Sequence, residues 1–120
     1  MNYQIGKINK KVNDTLNLNY KDDVPIFIGK DNISHMKGRH PKDYKKYGDQ
    51  LKDIIANPTY LARNRKKKSI EFIKEYVSDN EFVLVVVRVS GNDINFVRTM
   101  YVMANEKVEN YFKYGYFCKF

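Results

Sequence analysis

Apolar positions along this chain follow one rule before residue 69 and another after it. In the first part they come three or four apart, or in brief β-branched runs; in the second they alternate or run on unbroken. Residues 3–8 (YQIGKI) predict a short strand, and 9–18 (NKKVNDTLNL) a short helix with Val12, Leu16 and Leu18 inward. VPIFIG (24–29) reads as a strand, with Pro25 near its start, where a missing N–H is tolerated. Asp31 or Asn32 then caps a helix from about Ile33 to Arg39, because Pro41 biases His40 away from helical geometry. DYKKYGDQLKDIIANP (43–58) predicts further helix, burying Leu51, Ile54 and Ile55 and stopping at Asn57-Pro58. TYLARNRKKK (59–68) reads as a connecting loop.

From residue 69 the period shortens. SIEFIKEY (69–76) and INFVRTMYVM (94–103) alternate, while FVLVVVRVS (82–90) is almost continuously apolar, as a central strand covered on both faces should be. Together they predict an antiparallel meander, followed by a short helix from Ala104 or Asn105 to about Gly115. A two-residue turn at Gly91-Asn92 would set Val89 opposite Ile94, Arg88 opposite Asn95, Leu84 opposite Thr99 and Phe82 opposite Tyr101. That register puts Arg88, Thr99 and Tyr101 on one face, and Arg98 on the other with Val87 and Val89. An arginine inside VVVRVS is costly to bury alone, so Arg88 either reaches a pocket or pairs with an acid such as Glu71. The order of elements predicts a single α+β domain over residues 1–120.

Composition narrows the class. At 120 residues, 42% hydrophobic and 14% aromatic, the chain suits one folded core. No apolar run nears the roughly 20 residues of a membrane helix, and the N-terminus lacks a signal-peptide core. No basic amphipathic helix with an apolar face argues for a membrane surface. A lone Cys118 rules out an internal disulfide and fits a reducing compartment, so a cytoplasmic setting is expected. The net charge of +8 is uneven: residues 30–68 hold twelve Lys or Arg against four Asp, and the rest is balanced. Such a field favours polyanionic partners, RNA or DNA among them.

The basic third also holds both histidines, in HMKGRHP (35–41). Five residues apart, His35 and His40 diverge by about 140° on a helix, so they do not chelate one ion as a four-residue spacing can. Neither a metal nor another cofactor is expected. Proton transfer asks for less, since an ordinary imidazole titrates near neutral pH. Metal-free RNA cleavage needs a base for the 2′-hydroxyl, an acid for the leaving oxygen and a cation for the charge on phosphorus. His35 and Arg39, one turn apart, offer a proton carrier and a phosphate clamp in one direction.

Read in series, IGKI, VPIFIGKDNISHMKGRHPKDY, IIANPTYL, SIEFIKEY, VLVVVRVS and FVRTMYVM resemble the phage-associated nucleases of the Barnase–EndoU–colicin–RelE-like fold, over about residues 4 to 115. The resemblance implies N-terminal helices packed on a four-stranded antiparallel sheet, with a metal-independent ribonuclease site in the groove between them. Carried onto this sequence, it makes His35, Arg39, His40, Arg88, Thr99 and Tyr101 the candidate catalytic residues. Ser69 and Glu71 fall at a recurring position of unassigned role. Lys37, Arg63, Arg65, Lys66, Lys67, Lys68 and Arg98 are candidate RNA contacts, the 65–68 run being outside the family's motif. The expected activity is an endoribonuclease of toxin or phage type, acting on tRNA or other RNA. It would leave 2′,3′-cyclic phosphate and 5′-hydroxyl ends, and an acidic immunity or antitoxin protein is its expected protein partner. The alternatives are a basic nucleic-acid-binding module without catalysis, using tyrosines for stacking, and a phage-encoded protein-interaction factor.

Overall fold

Asn9 starts the first helix, its Oδ1 accepting the backbone N–H of Val12 at 2.9 Å. The helix, α1 (Lys10–Leu16), ends at Asn17, which takes the left-handed conformation asparagine tolerates. It lies between β1 (Asn2–Ile8) and β2 (Val24–Gly29), which pair antiparallel. The computed structural model describes residues 2–89 and 94–120. Helix α2 (Lys30–Arg39) follows β2 at once, three residues before the expected start. Its cap is Gly29, whose N–H donates to Asn32 Oδ1 at 2.8 Å, so the asparagine acts from inside the first turn. The helix stops at His40, and Pro41 opens α3 (Pro41–Tyr47). A single 3₁₀ turn then leads into α4 (Leu51–Ala56).

The segment expected as a loop contains a strand, β3 (Tyr60–Asn64). Leu61 and Ala62 are buried, while Arg63 is exposed, as the border of a sheet allows. β4 (Ser69–Tyr76), β5 (Glu81–Val89) and β6 (Asn95–Val102) form the meander, α5 (Asn105–Lys113) follows, and β7 (Cys118–Lys119) closes the chain. Among the described residues, the strands form one seven-stranded sheet in the order β1-β2-β6-β5-β4-β3-β7. The α+β class stands, but the expected four-stranded sheet does not. β3 and β7 widen one side, and a short parallel pairing of β2 with β6 at Ile26–Asn95 and Phe27–Phe96 adds β2 and β1 to the other. Nor do the helices form an N-terminal block, because β1 and β2 are threaded among them and α5 comes after β6.

One sheet face carries the main core. Ile70, Phe72, Val83, Val85, Val87, Val97 and Met100 pack with Val12, Met36, Leu51, Ile54 and Ile55 from α1, α2 and α4. The other face is only partly covered, where Ile73, Leu84 and Met103 pack beneath Val108 and Tyr111 of α5 and Phe117 of the tail. The chain passes close where α4 meets β1: a Cβ on Gly6 would lie 2.5 Å from Ile55 Cγ2, inside the buried core. Gly6→Ala is expected to lower stability by about 1–3 kcal/mol through overpacking. The check is a urea midpoint that falls at unchanged m.

Candidate active site

Where α5 covers the second face only in part, the strands change character. Ser69 and Glu71 of β4 stand opposite Arg88 and Val86 of β5, and Val86 stands opposite Thr99 of β6. Side chains that would otherwise continue the core are polar here, and they line a cavity of about 450 Å³ beside α5. That volume falls in the range of ligand sites.

The register that builds this wall differs from the expected one. Val89 pairs with Asn95 and Arg88 with Phe96; further along, Val86 pairs with Thr99 and Leu84 with Tyr101. The expected turn at Gly91-Asn92 lies outside the described residues. Pairing is offset by one residue near the turn, and by one more at a β-bulge between Val86 and Val87 where Arg98 is the extra residue. Two one-residue offsets restore parity, so Thr99 and Tyr101 stay on the face of Arg88. Arg98, expected on the opposite face, lines the same cavity because the bulge places it there.

Five cations line the cavity: Lys66 and Lys67 from the β3–β4 turn, Arg88, Arg98, and Lys107 of α5. Among the described residues the one carboxylate lining it is Glu71, 6% exposed. Tyr111 Oη donates to Glu71 Oε1 at 2.7 Å, which fixes the carboxylate and leaves its second oxygen without a protein partner among the described residues. Burial, and then the bond to Glu71, raise the Tyr111 phenol well above its ordinary range, so it remains the donor. The Arg88–Glu71 ion pair is not formed; Arg88 is exposed and lines the cavity. Lys107 Nζ hydrogen-bonds Tyr101 Oη and lies 5.0 and 5.7 Å from the ring centroids of Tyr101 and Tyr111. Thr99 Oγ1 is buried with no hydrogen-bond partner among the described residues. An unpaired buried hydroxyl is costly, and a ligand atom would satisfy it.

His40 comes to this wall from the side. Beyond Phe96, β2 no longer pairs with β6, and the α2–α3 junction occupies that edge, where Val102 N–H donates to Asp43 Oδ2 at 3.0 Å. The break between the two helices turns the His40 ring onto Tyr101, with centroids 5.1 Å apart. His40 meets Tyr101 but is not itself among the residues lining the cavity, and neither are His35, Lys37 and Arg39, which are exposed on α2; Lys37 lies over the Tyr44 ring. Arg63 and Arg65 line a neighbouring cavity with Lys66, and Lys68 is exposed at the end of the turn. The cavity is thus on the face away from α1 and α4, beside α5, rather than in a groove between the N-terminal helices and the sheet.

The sequence left Glu71 without a role and did not single out Lys107 or Tyr111. The signal for Glu71 was its parity: it alternates with Ser69 and Ile73, and an acid at a buried position of a strand needs a reason. Lys107 and Tyr111, four apart on α5, share one helix face, but only the packing of α5 reveals what that face covers. Among the described residues no three His, Cys, Asp or Glu side chains gather as a metal site requires.

Comparison with curated proteins and with solved structures returned no match. The sequence profile of the phage-Barnase-EndoU-ColicinE5/D-RelE like nuclease3 family, however, matches residues 3–110. That span takes in the histidine block, every strand of the meander and Lys107 on α5, and the chain belongs to this family of nucleases.

Proposed function

We propose that this nuclease is a metal-independent endoribonuclease. The observation that carries the reading is a buried carboxylate, Glu71, with one oxygen anchored and one free, in a cavity lined by five cations. An anionic backbone would be drawn there by the field, and among the described residues Glu71 is the one group lining the cavity able to take a proton as a carboxylate. In the reaction Glu71 removes the 2′-hydroxyl proton, the 2′-oxygen bonds to phosphorus, and the bond from phosphorus to the 5′-oxygen breaks. The leaving oxygen takes its proton from His40, whose ring lies against Tyr101. Arg88, Arg98 and Lys107 offset the charge gathering on the phosphoryl oxygens, and Thr99 and Tyr101 donate hydrogen bonds to them. His35 and Arg39 then contact flanking backbone from the exposed side of α2, with Lys37 beside them. The lysines of the β3–β4 turn steer the RNA, of which tRNA is the favoured class. A surface of net charge +8 suits an acidic inhibitor as protein partner.

The test is incubation with total tRNA in EDTA, comparing wild type with His35→Ala and His40→Ala. Wild type is expected to give discrete fragments bearing 2′,3′-cyclic phosphate, His40→Ala to lose about 100-fold or more in rate, and His35→Ala to lose less. Intact RNA with salt-sensitive binding by all three proteins would replace the enzyme with a binding module.

A further inference from the structure

A second cavity, of about 460 Å³, adjoins the first. Asn64, Lys66, Glu71 and Tyr111 line both, so the Glu71–Tyr111 pair stands between them. What the second cavity adds is Ala62, Arg63, Arg65 and Tyr116. Arg63 comes from the outer end of β3 and Arg65 from the turn that follows; β7 pairs only with Tyr60 and Leu61 and leaves the strand edge open among the described residues. Tyr116 is 55% exposed, yet its ring packs on a neighbour. It meets Tyr111 edge-on at 5.5 Å, and its backbone N–H donates to the Tyr111 carbonyl at 2.9 Å.

An aromatic ring open to solvent, in a cavity that two arginines also line, offers what a single-stranded nucleotide needs: a face for its base and cations for its phosphate. We propose that the second cavity is a nucleotide subsite, holding the nucleotide one step removed from the scissile phosphate. Its phosphate lies on Arg63 and Arg65 and its base stacks on Tyr116. The subsite rests on the ribonuclease reading, and it makes single-stranded RNA longer than a dinucleotide the substrate class. A duplex has no unstacked base to give Tyr116.

Binding tests this separately from cleavage. Pooled 2′-O-methyl RNAs, which cannot be cleaved, are titrated at two lengths, dinucleotide and tetranucleotide. Wild type is expected to bind the tetranucleotide at least about tenfold tighter, since it adds a base that stacks on an aromatic ring. Tyr116→Ala and the double variant Arg63→Ala/Arg65→Ala are expected to erase that gain, weakening the tetranucleotide far more than the dinucleotide. Tyr116→Phe, which keeps the ring, retains it. The double variant also lowers the slope of log affinity against log salt by about 0.7 for each phosphate it no longer neutralises. The subsite is overturned if wild type gains nothing from length, if the gain survives all variants, or if dinucleotide binding falls equally. RNA cleavage failing while the length gain stands would remove the catalytic reading and leave the subsite.

Discussion

Glu71→Gln is expected to lower kcat for RNA cleavage by about 100- to 10,000-fold, with KM changed little. Glutamine keeps the shape of the side chain, and its amide oxygen still accepts the Tyr111 hydroxyl that now bonds Oε1 at 2.7 Å. What it lacks is a basic oxygen. The change also removes a negative charge from the cavity wall, so affinity for the polyanion should hold or rise while turnover falls. Tyr111→Phe separates anchoring from chemistry. It leaves the carboxylate in place but frees Oε1, and a smaller loss, about tenfold, is expected through kcat. Steady-state kinetics on a fluorogenic RNA, with circular dichroism to confirm folding, decides the matter. If Glu71→Gln keeps activity within a few-fold, the base lies elsewhere, and His40, stacked on Tyr101, becomes the leading candidate.

How much of the molecule was legible in the sequence depends on where each interaction is local. The meander was legible because β4, β5 and β6 write their burial into alternation and into an unbroken apolar run. β3 was not, since Arg63 and Asn64 at its outer end look like loop composition, and only pairing with β4 shows Leu61 and Ala62 turning inward. The β2–β6 contact joins residues about seventy positions apart, and Asn95 Nδ2 bonding Pro25 O helps hold it there; no periodicity encodes that. Within the site, Arg88 stood out as a guanidinium in an apolar strand. Thr99 and Tyr101 reached their face in spite of a wrong register, because two one-residue offsets preserve side-chain parity. Glu71 did not stand out, as an alternating strand with one solvated face explains an acid equally well, and only the placement of α5 over that face removes the explanation.

Arg98 carries the second large effect, and it depends on the bulge. A bulge has no obligatory residue, so FVRTMYVM reads as plain alternation and sends Arg98 to the core face, where Val97 and Met100 pack. The inserted residue instead puts two neighbours, Arg98 and Thr99, on the same cavity wall, one with a cation and one with an unpaired buried hydroxyl. Arg98→Ala should keep the bulge and remove the guanidinium, costing about 100- to 1,000-fold in kcat/KM if the group offsets charge on phosphorus. Arg98→Lys should recover part of that, since a point charge replaces a planar fork. Deleting Arg98 is the sharper experiment. Val87 can still pair with Val97 and Val86 with Thr99, because those partners flank the extra residue, so the sheet should close without a gap. The protein is expected to stay folded, with a melting transition near that of wild type, yet to lose at least as much activity as Arg98→Ala. A deletion variant that cleaves RNA as wild type does would show that neither the bulge nor its arginine serves the reaction. One that unfolds, beside a folded and inactive Arg98→Ala, would assign the bulge to the sheet and the guanidinium to the chemistry.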